Sequence, residues 1–346
     1  MKTAVVICPG RGTYSKSELG WLGRHFNDRA LLSEFDARRR SAGRATLTEL
    51  DGATSFSVSV HTRGDNASVL IYAATIGDFA AIVDNVRVVA VTGNSMGWYS
   101  TLACAGAVSV IDGFTIVDTM GTLMQERLIG GQTIYPFVDE EWHPNPARKA
   151  ELLALVGQIG ARPGRSLALS IDLGGMLVVG GDAAGLNDFE AAVPPLQDRF
   201  PLRLANHAAF HTALQSPVAA VGRERLPLAL FVQPILPMID GRGHVWWPGA
   251  TDIAALRDYT LGHQVTQVYD FTRAITVAAR EFAPDLFVVT GPGTTLGGAV
   301  AQSLILTEWR GIGDKAAFQS CQTVDPFLIS MGIEKQREII ASRPAR

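Results

Sequence analysis

The chain has 346 residues, 47% of them hydrophobic, with a formal net charge of −3 and a pI near 6.2. Length and apolar content support one large domain, or a large domain carrying a smaller one. The charge balance excludes the broad basic surface that nucleic-acid binding needs. Three scattered cysteines, Cys8, Cys104 and Cys321, exclude a disulfide framework or a zinc site. The opening MKTAVVICPG is too short and too weakly basic for a signal peptide or membrane span, and no later stretch reaches about 18 uninterrupted apolar residues. The expectation is a cytoplasmic protein with neither a nucleic-acid nor a membrane partner.

In chain order, Thr3–Cys8 reads as a buried strand that ends in the tight turn Pro9-Gly10-Arg11-Gly12. Glu18–Arg40 is predicted helical, with Leu19, Leu22, Phe26, Ala30 and Leu31 on one face. Asn66–Asp84 is a second helix. Val86–Thr92 is a β-branched strand, followed at once by Gly93-Asn94-Ser95-Met96-Gly97 and a helical stretch. From about Arg127 to Phe200 the character changes. Strands at Gln132–Phe137, Leu167–Leu173 and Met176–Gly180 interleave with helices at Asn145–Ile159 and Ala183–Val193, which predicts a small α+β insert. The α/β pattern resumes with a helix over Gln264–Arg280, a strand Leu286–Thr290, the turn Gly291-Pro292-Gly293 and a helix Thr295–Leu304. Residues from Arg310 on are expected to cover the surface as a terminal helix or loop.

Gly93-x-Ser95-x-Gly97 between a strand and a helix is the nucleophile-elbow pattern. The turn is tight and both flanks pack closely, so side chains on either glycine collide, while the serine hydroxyl is lifted to the positive end of the following helix. The Met96 backbone N–H then points where an oxyanion develops. A serine nucleophile needs a base, and composition alone does not choose among His25, His61, His143, His207, His211, His244 and His263. The late histidines, His244 and His263, lack an acidic partner by pattern, and no His/Gly-rich oxyanion loop lies near the start, so lipase-like chemistry fits poorly.

Several separated motifs line up with one family. Cys8-Pro9-Gly10-Arg11-Gly12 resembles the FPGQG opening of the malonyl-CoA:acyl-carrier-protein transacylases and polyketide acyltransferase domains. Residues Gly93 to Ser100, with Ala103-Cys104-Ala105-Gly106-Ala107, resemble their GHSLGEYSALVAAGA segment, and Met124-Gln125-Glu126 their MQE. Phe210-His211-Thr212-Ala213-Leu214 with Pro217 resembles the segment around their histidine, Gln267 falls where the family has a glutamine, and Gly291-Pro292-Gly293 resembles their GPG.

The resemblance implies an α/β fold: a large α/β-hydrolase-like domain with a mostly parallel sheet (1–126 and 201–309), a small ferredoxin-like insert (127–200) and a C-terminal extension (310–346). It implies Ser95 as nucleophile and His211 as general base and then acid, held by main-chain carbonyls. It further implies an oxyanion hole from the Met96 and Arg11 backbone N–H groups, and Gln267 supporting the site. No metal or cofactor is implied; acyl-CoA and an acyl carrier protein are the expected partners of a monomer. Transfer to the carrier is the expected reaction, with carrier-protein acyl hydrolysis or a non-catalytic scaffold as alternatives.

Three departures touch the acyl pocket. The family places an arginine, which forks onto the malonyl carboxylate, at the position of Met120, and a thioether does not replace a bidentate cation. Either the acyl group lacks a distal carboxylate or another cation, such as Arg11 or Arg203, takes over. Asn94 replaces a histidine and Trp98 a glutamate, both expected to reshape the pocket mouth, and Phe210 before the histidine is the bulky residue that the family pairs with small acyl groups, so the resemblance implies a short one.

Overall fold

A computed structural model describes residues 1–341. Its strands run in chain order as β1 Lys2–Cys8, β2 Val86–Gly93, β3 Gly131–Pro136, β4 Leu167–Leu173, β5 Met176–Gly181, β6 Leu202–Arg203, β7 Met238–Ile239, β8 Val245–Trp246, β9 Tyr269–Asp270, β10 Leu286–Val289 and β11 Leu328–Ser330. The near-continuous apolar run of β1 decides its place. Residues Ala4 to Cys8 are fully buried, as a strand covered on both faces of a parallel sheet must be. The large sheet accordingly has the order β11-β10-β1-β2-β7-β8, parallel except for the β7–β8 hairpin. Each fully buried Val or Ile in β1 contributes roughly 2 kcal/mol by removal from water.

Helix Gly64–Ala80 is buried nearly all round, with Val69, Leu70, Ile71 and Tyr72 completely enclosed, which makes it a core helix with no solvent stripe. It crosses helix Val110–Arg127 at a point where both chains are glycine. A Cβ on Gly121 would stand 2.6 Å from the Gly64 carbonyl oxygen, and one on Gly64 2.9 Å from that of Gly121.

The second sheet has the order β6-β3-β5-β4-β9. Strands β3 to β6 with helices Pro146–Gly160 and Ala183–Ala192 form the β-α-β-β-α-β unit of a ferredoxin-like fold. Tyr135, Leu177 and Val179 pack with Leu152, Ile159, Leu186 and Phe189 into a separate apolar core. The unit's last strand, β6, begins beyond the expected boundary at residue 200. β9 comes from the later chain and pairs in parallel with β4, tying the small sheet to the large domain.

Three expected elements are corrected. The helix over Glu18–Arg40 is instead a short helix Trp21–His25 and a longer one, Arg29–Ser41; Asp28 caps the second by accepting from Leu31 N–H. The helix over Gln264–Arg280 is broken into a π-helical turn Tyr259–His263, a single turn Gln264–Thr266, β9, and a helix Phe271–Phe282 capped by Asp270. The C-terminal extension does more than cover the surface, because β11 is the edge strand beside β10. The last five residues of that extension, 342–346, lie outside the described residues.

Candidate active site

The site lies at the carboxyl ends of the central strands β1 and β2, where open α/β sheets hold their ligands. At the end of β2, Asn94 N–H donates to the Cys8 carbonyl at 3.0 Å and Gly97 N–H to the Asn94 carbonyl at 2.8 Å. Ser95 between them is held at φ +54°, in the left-handed region, and helix Gly97–Cys104 starts at once. A Cβ on Gly97 would overlap the Cys8 carbonyl, and one on Gly93 the backbone of Gly97. Glycine at both positions is therefore what allows the turn. Among the described residues, the backbone N–H groups of Met96 and Arg11 have no protein acceptor.

His211 closes the site from the other side. It too is left-handed, at φ +60°, and its N–H is fixed to the Val265 carbonyl at 2.9 Å. Its Nε2 stands 2.8 Å from Ser95 Oγ and its Nδ1 2.5 Å from the Gln264 carbonyl oxygen. A carbonyl only accepts, so Nδ1 carries the proton and Nε2 presents a lone pair to the serine hydroxyl. Burial lowers the His211 pKa to about 4 and so keeps the imidazole neutral near pH 7, although the Gln264 carbonyl partly offsets the shift.

The supporting glutamine is Gln264, not Gln267, whose side chain is exposed. The side-chain amide of Gln264 donates to the Ser95 carbonyl at 3.0 Å, and its Oε1 accepts from Tyr99 Oη at 3.1 Å. One residue thus ties the nucleophile turn to the histidine. It follows the π-helical turn directly, a distortion that often marks functional sites. Sequence reasoning also missed Tyr269, whose hydroxyl donates to the Gly93 carbonyl at 2.6 Å and whose ring lies 5.3 Å from that of His211. Neither residue has a motif of its own; only the two glutamines in His263–Gln267 hint at the first.

Ser95 opens into a cavity of about 100 Å³ between helix Val110–Arg127 and the face of the small sheet opposite its helices. Met120, Phe210 and Asn94 line it, together with Met124, Ile134, Ile171, Leu173, Val178 and Leu204. Trp98 does not. It is fully buried beneath the turn, donates from Nε1 to Thr260 Oγ1 at 2.9 Å and packs edge-on against Tyr259, so the expectation that it shapes the pocket mouth is corrected. The helix that begins at Gly97 turns this side chain into the core.

His207, the nearest alternative base, sits in the cavity wall with Nδ1 3.0 Å from Gln132 Oε1. Arg203 lies outside the cavity, paired to Glu190 at 2.6 Å, whereas the Arg11 side chain is part of the cavity wall. Asn94 Oδ1 is buried with no hydrogen-bond partner among the described residues. No group of three or more His, Cys, Asp or Glu among them is placed to hold a metal ion. No described helix is long and apolar enough to cross a membrane.

No protein-family model matches the chain. It is 26% identical over 234 residues to the malonyl CoA-acyl carrier protein transacylase of Salmonella typhimurium, covering 67% of this chain and 71% of that one. The Haemophilus influenzae transacylase is 26% identical over 267 residues, covering 76% and 78%. Among solved structures, the malonyl-CoA:acyl carrier protein transacylase of Xanthomonas oryzae superposes with a TM-score of 0.73 at 19% identity, covering 99% of each chain. A type II polyketide-synthase acyl-carrier protein in complex with its malonyl-transacylase gives a TM-score of 0.68 at 18% identity, covering 92% of this chain and 98% of that one. By sequence and by fold, the chain is a relative of the malonyl-CoA:acyl-carrier-protein transacylases, an acyltransferase family.

Proposed function

We propose that the protein transfers an acyl group from coenzyme A to the phosphopantetheine thiol of an acyl carrier protein, through an ester on Ser95. The observation that carries this reading is the 2.8 Å contact between Ser95 Oγ and a neutral, main-chain-anchored His211. Ser95 Oγ attacks the thioester carbonyl carbon while its proton passes to His211 Nε2. The oxyanion forms within reach of the unpartnered Met96 and Arg11 N–H groups. Collapse of the tetrahedral intermediate breaks the C–S bond, and coenzyme A leaves as a thiol with the proton from His211. The carrier thiol then repeats the sequence in reverse: its proton goes to Nε2, its sulfur takes the acyl carbon, and Ser95 recovers its hydrogen.

Malonyl is the acyl group named by the relatives. Acyl carrier proteins are the matching acceptors, as in the polyketide-synthase complex whose transacylase shares this fold. The test is intact mass after brief incubation with malonyl-CoA, followed by a phosphopantetheinylated carrier protein. An adduct absent in Ser95→Ala that moves to the carrier supports the reading. An adduct released as free acid in the presence of carrier overturns transfer in favour of hydrolysis.

A further inference from the structure

The cavity beside Ser95 is mostly apolar, yet it contains a cation without a counter-ion. Arg11 donates from one terminal nitrogen to the Asn206 carbonyl at 2.6 Å and from the other to the thioether of Met124 at 3.3 Å, a weak acceptor. Guanidinium has five N–H donors, so three have no partner among the described residues. No described carboxylate lies within ion-pairing distance of it. Asp65, the acid whose charge it feels, is forked onto Arg63 at 3.0 Å. Burial lowers the Arg11 pKa to about 10, and burial together with the Arg11 charge holds neighbouring His207 uncharged.

A partly buried cation left unpaired is destabilising, and folded chains usually supply the anion themselves. Here Arg11 lines the same cavity that opens beside Ser95. Met124 lies one helical turn beyond Met120, so the guanidinium rests against the same wall of the cavity as the thioether at 120. A cavity of about 100 Å³ has room for on the order of ten water-sized atoms, enough for a short acyl tail.

We propose that the Arg11 side chain selects the acyl group, admitting short acyl thioesters whose tail ends in a carboxylate. The inference rests on the acyl-Ser95 reading and names the group that sets its substrate class. Arg11 thereby has two separable parts: a main-chain N–H aimed at the reacting carbonyl and a guanidinium aimed at the tail.

The test measures initial rates of Ser95 acylation by malonyl-CoA and by acetyl-CoA, using intact mass on the full chain. The wild type is expected to favour malonyl by about 100-fold, the discrimination available to a charge-assisted pair. Arg11→Gln keeps the main-chain donor and is expected to lose about 100-fold with malonyl while acetyl changes less than about 5-fold. The double variant Arg11→Gln/Met120→Arg returns a cation to the same wall and is expected to regain at least about tenfold of the malonyl rate. Equal wild-type rates with the two thioesters overturn the inference and leave the acyl-serine reading intact. So does an Arg11→Gln variant that slows both equally, which is the signature of a merely structural role. No adduct from either thioester overturns the acyl-serine reading and the inference with it.

Discussion

A neutral imidazole at residue 211 is a consequence of its surroundings. The ring is almost wholly enclosed, its Nδ1 proton is committed to a carbonyl, and among the described residues no carboxylate pairs with it. With the pKa lowered to about 4, the free-base form predominates through the neutral range. Acylation of Ser95 is therefore expected to be independent of pH from roughly 6 to 8 and to fall about tenfold per unit once pH drops below about 4. Stopped-time mass spectrometry across that range is the measurement, and a midpoint near 6.5 contradicts it. The same shift has a stability consequence. An unfolded histidine titrates near 6.5, so between about 4 and 6.5 the unfolded chain binds more protons, and stability is lost as pH falls through that window. His211→Gln should flatten that part of the urea-midpoint profile and slow acylation by about 10³-fold. Gln264→Ala should leave the carbonyl partner of His211 in place while losing two side-chain hydrogen bonds. A fall of about 1–3 kcal/mol in unfolding free energy, with acylation slowed but still measurable, is the expected outcome.

The nucleophile turn and the helices around it differ in how openly the sequence declares them. Gly93 and Gly97 are legible because steric exclusion leaves no other residue there. Gly97→Ala drives a methyl into the Cys8 carbonyl and should cost at least about 2 kcal/mol in urea unfolding. Gly298→Ala, in helix Thr295–Leu306 with open space around its Cβ position, should instead stabilise by about 0.4–1 kcal/mol. That contrast tests whether glycine at the turn is required by space or by composition. The strands β4 and β5 and their flanking helices were equally readable, because alternation and caps are local signals. The break after Phe26 was not, since the apolar spacing runs on through it and only the Asp28 cap interrupts the helix. The segment around Gln264 hid for a related reason. Its helical composition is overridden by a π-turn and by β9, both of which depend on partners far along the chain. The resemblance pointed to Gln267, three residues past the glutamine that this local geometry brings to the site, and Trp98 was misplaced because a motif position does not say which way a helix turns its side chain.

At the scale of the whole molecule, the least legible part was the C-terminal segment, whose role rests on long-range contacts, two of them central. β11 pairs with β10, and helix Glu334–Ile340 brings Arg337 to Asp78 at 2.5 Å. Asp78 is fully buried; its other oxygen accepts from Gly291 N–H at 2.6 Å, so the pair locks helix Gly64–Ala80, the Gly291-Pro292-Gly293 turn and the C-terminal helix together. A polar tail sequence does not reveal this, because an arginine on a short helix reads as solvated until its partner is known. Burial raises the Asp78 pKa to about 6 even though Arg337 and the Gly291 amide favour the ionised form. Between its unfolded value near 4 and about 6 the folded chain binds more protons, so this group's contribution to stability declines as pH rises through that window. Arg337→Met removes the cation and leaves the carboxylate uncompensated. It should cost about 3–5 kcal/mol at pH 8 and distinctly less at pH 5, where Asp78 gains a proton. Asp78→Asn/Arg337→Met should recover much of the loss and abolish the pH dependence, because neither buried charge remains. Urea midpoints for the two variants at pH 5 and pH 8 decide the matter. Losses that are equal at both pH values, or that simply add in the double variant, would show that Arg337 acts through packing and not through its charge.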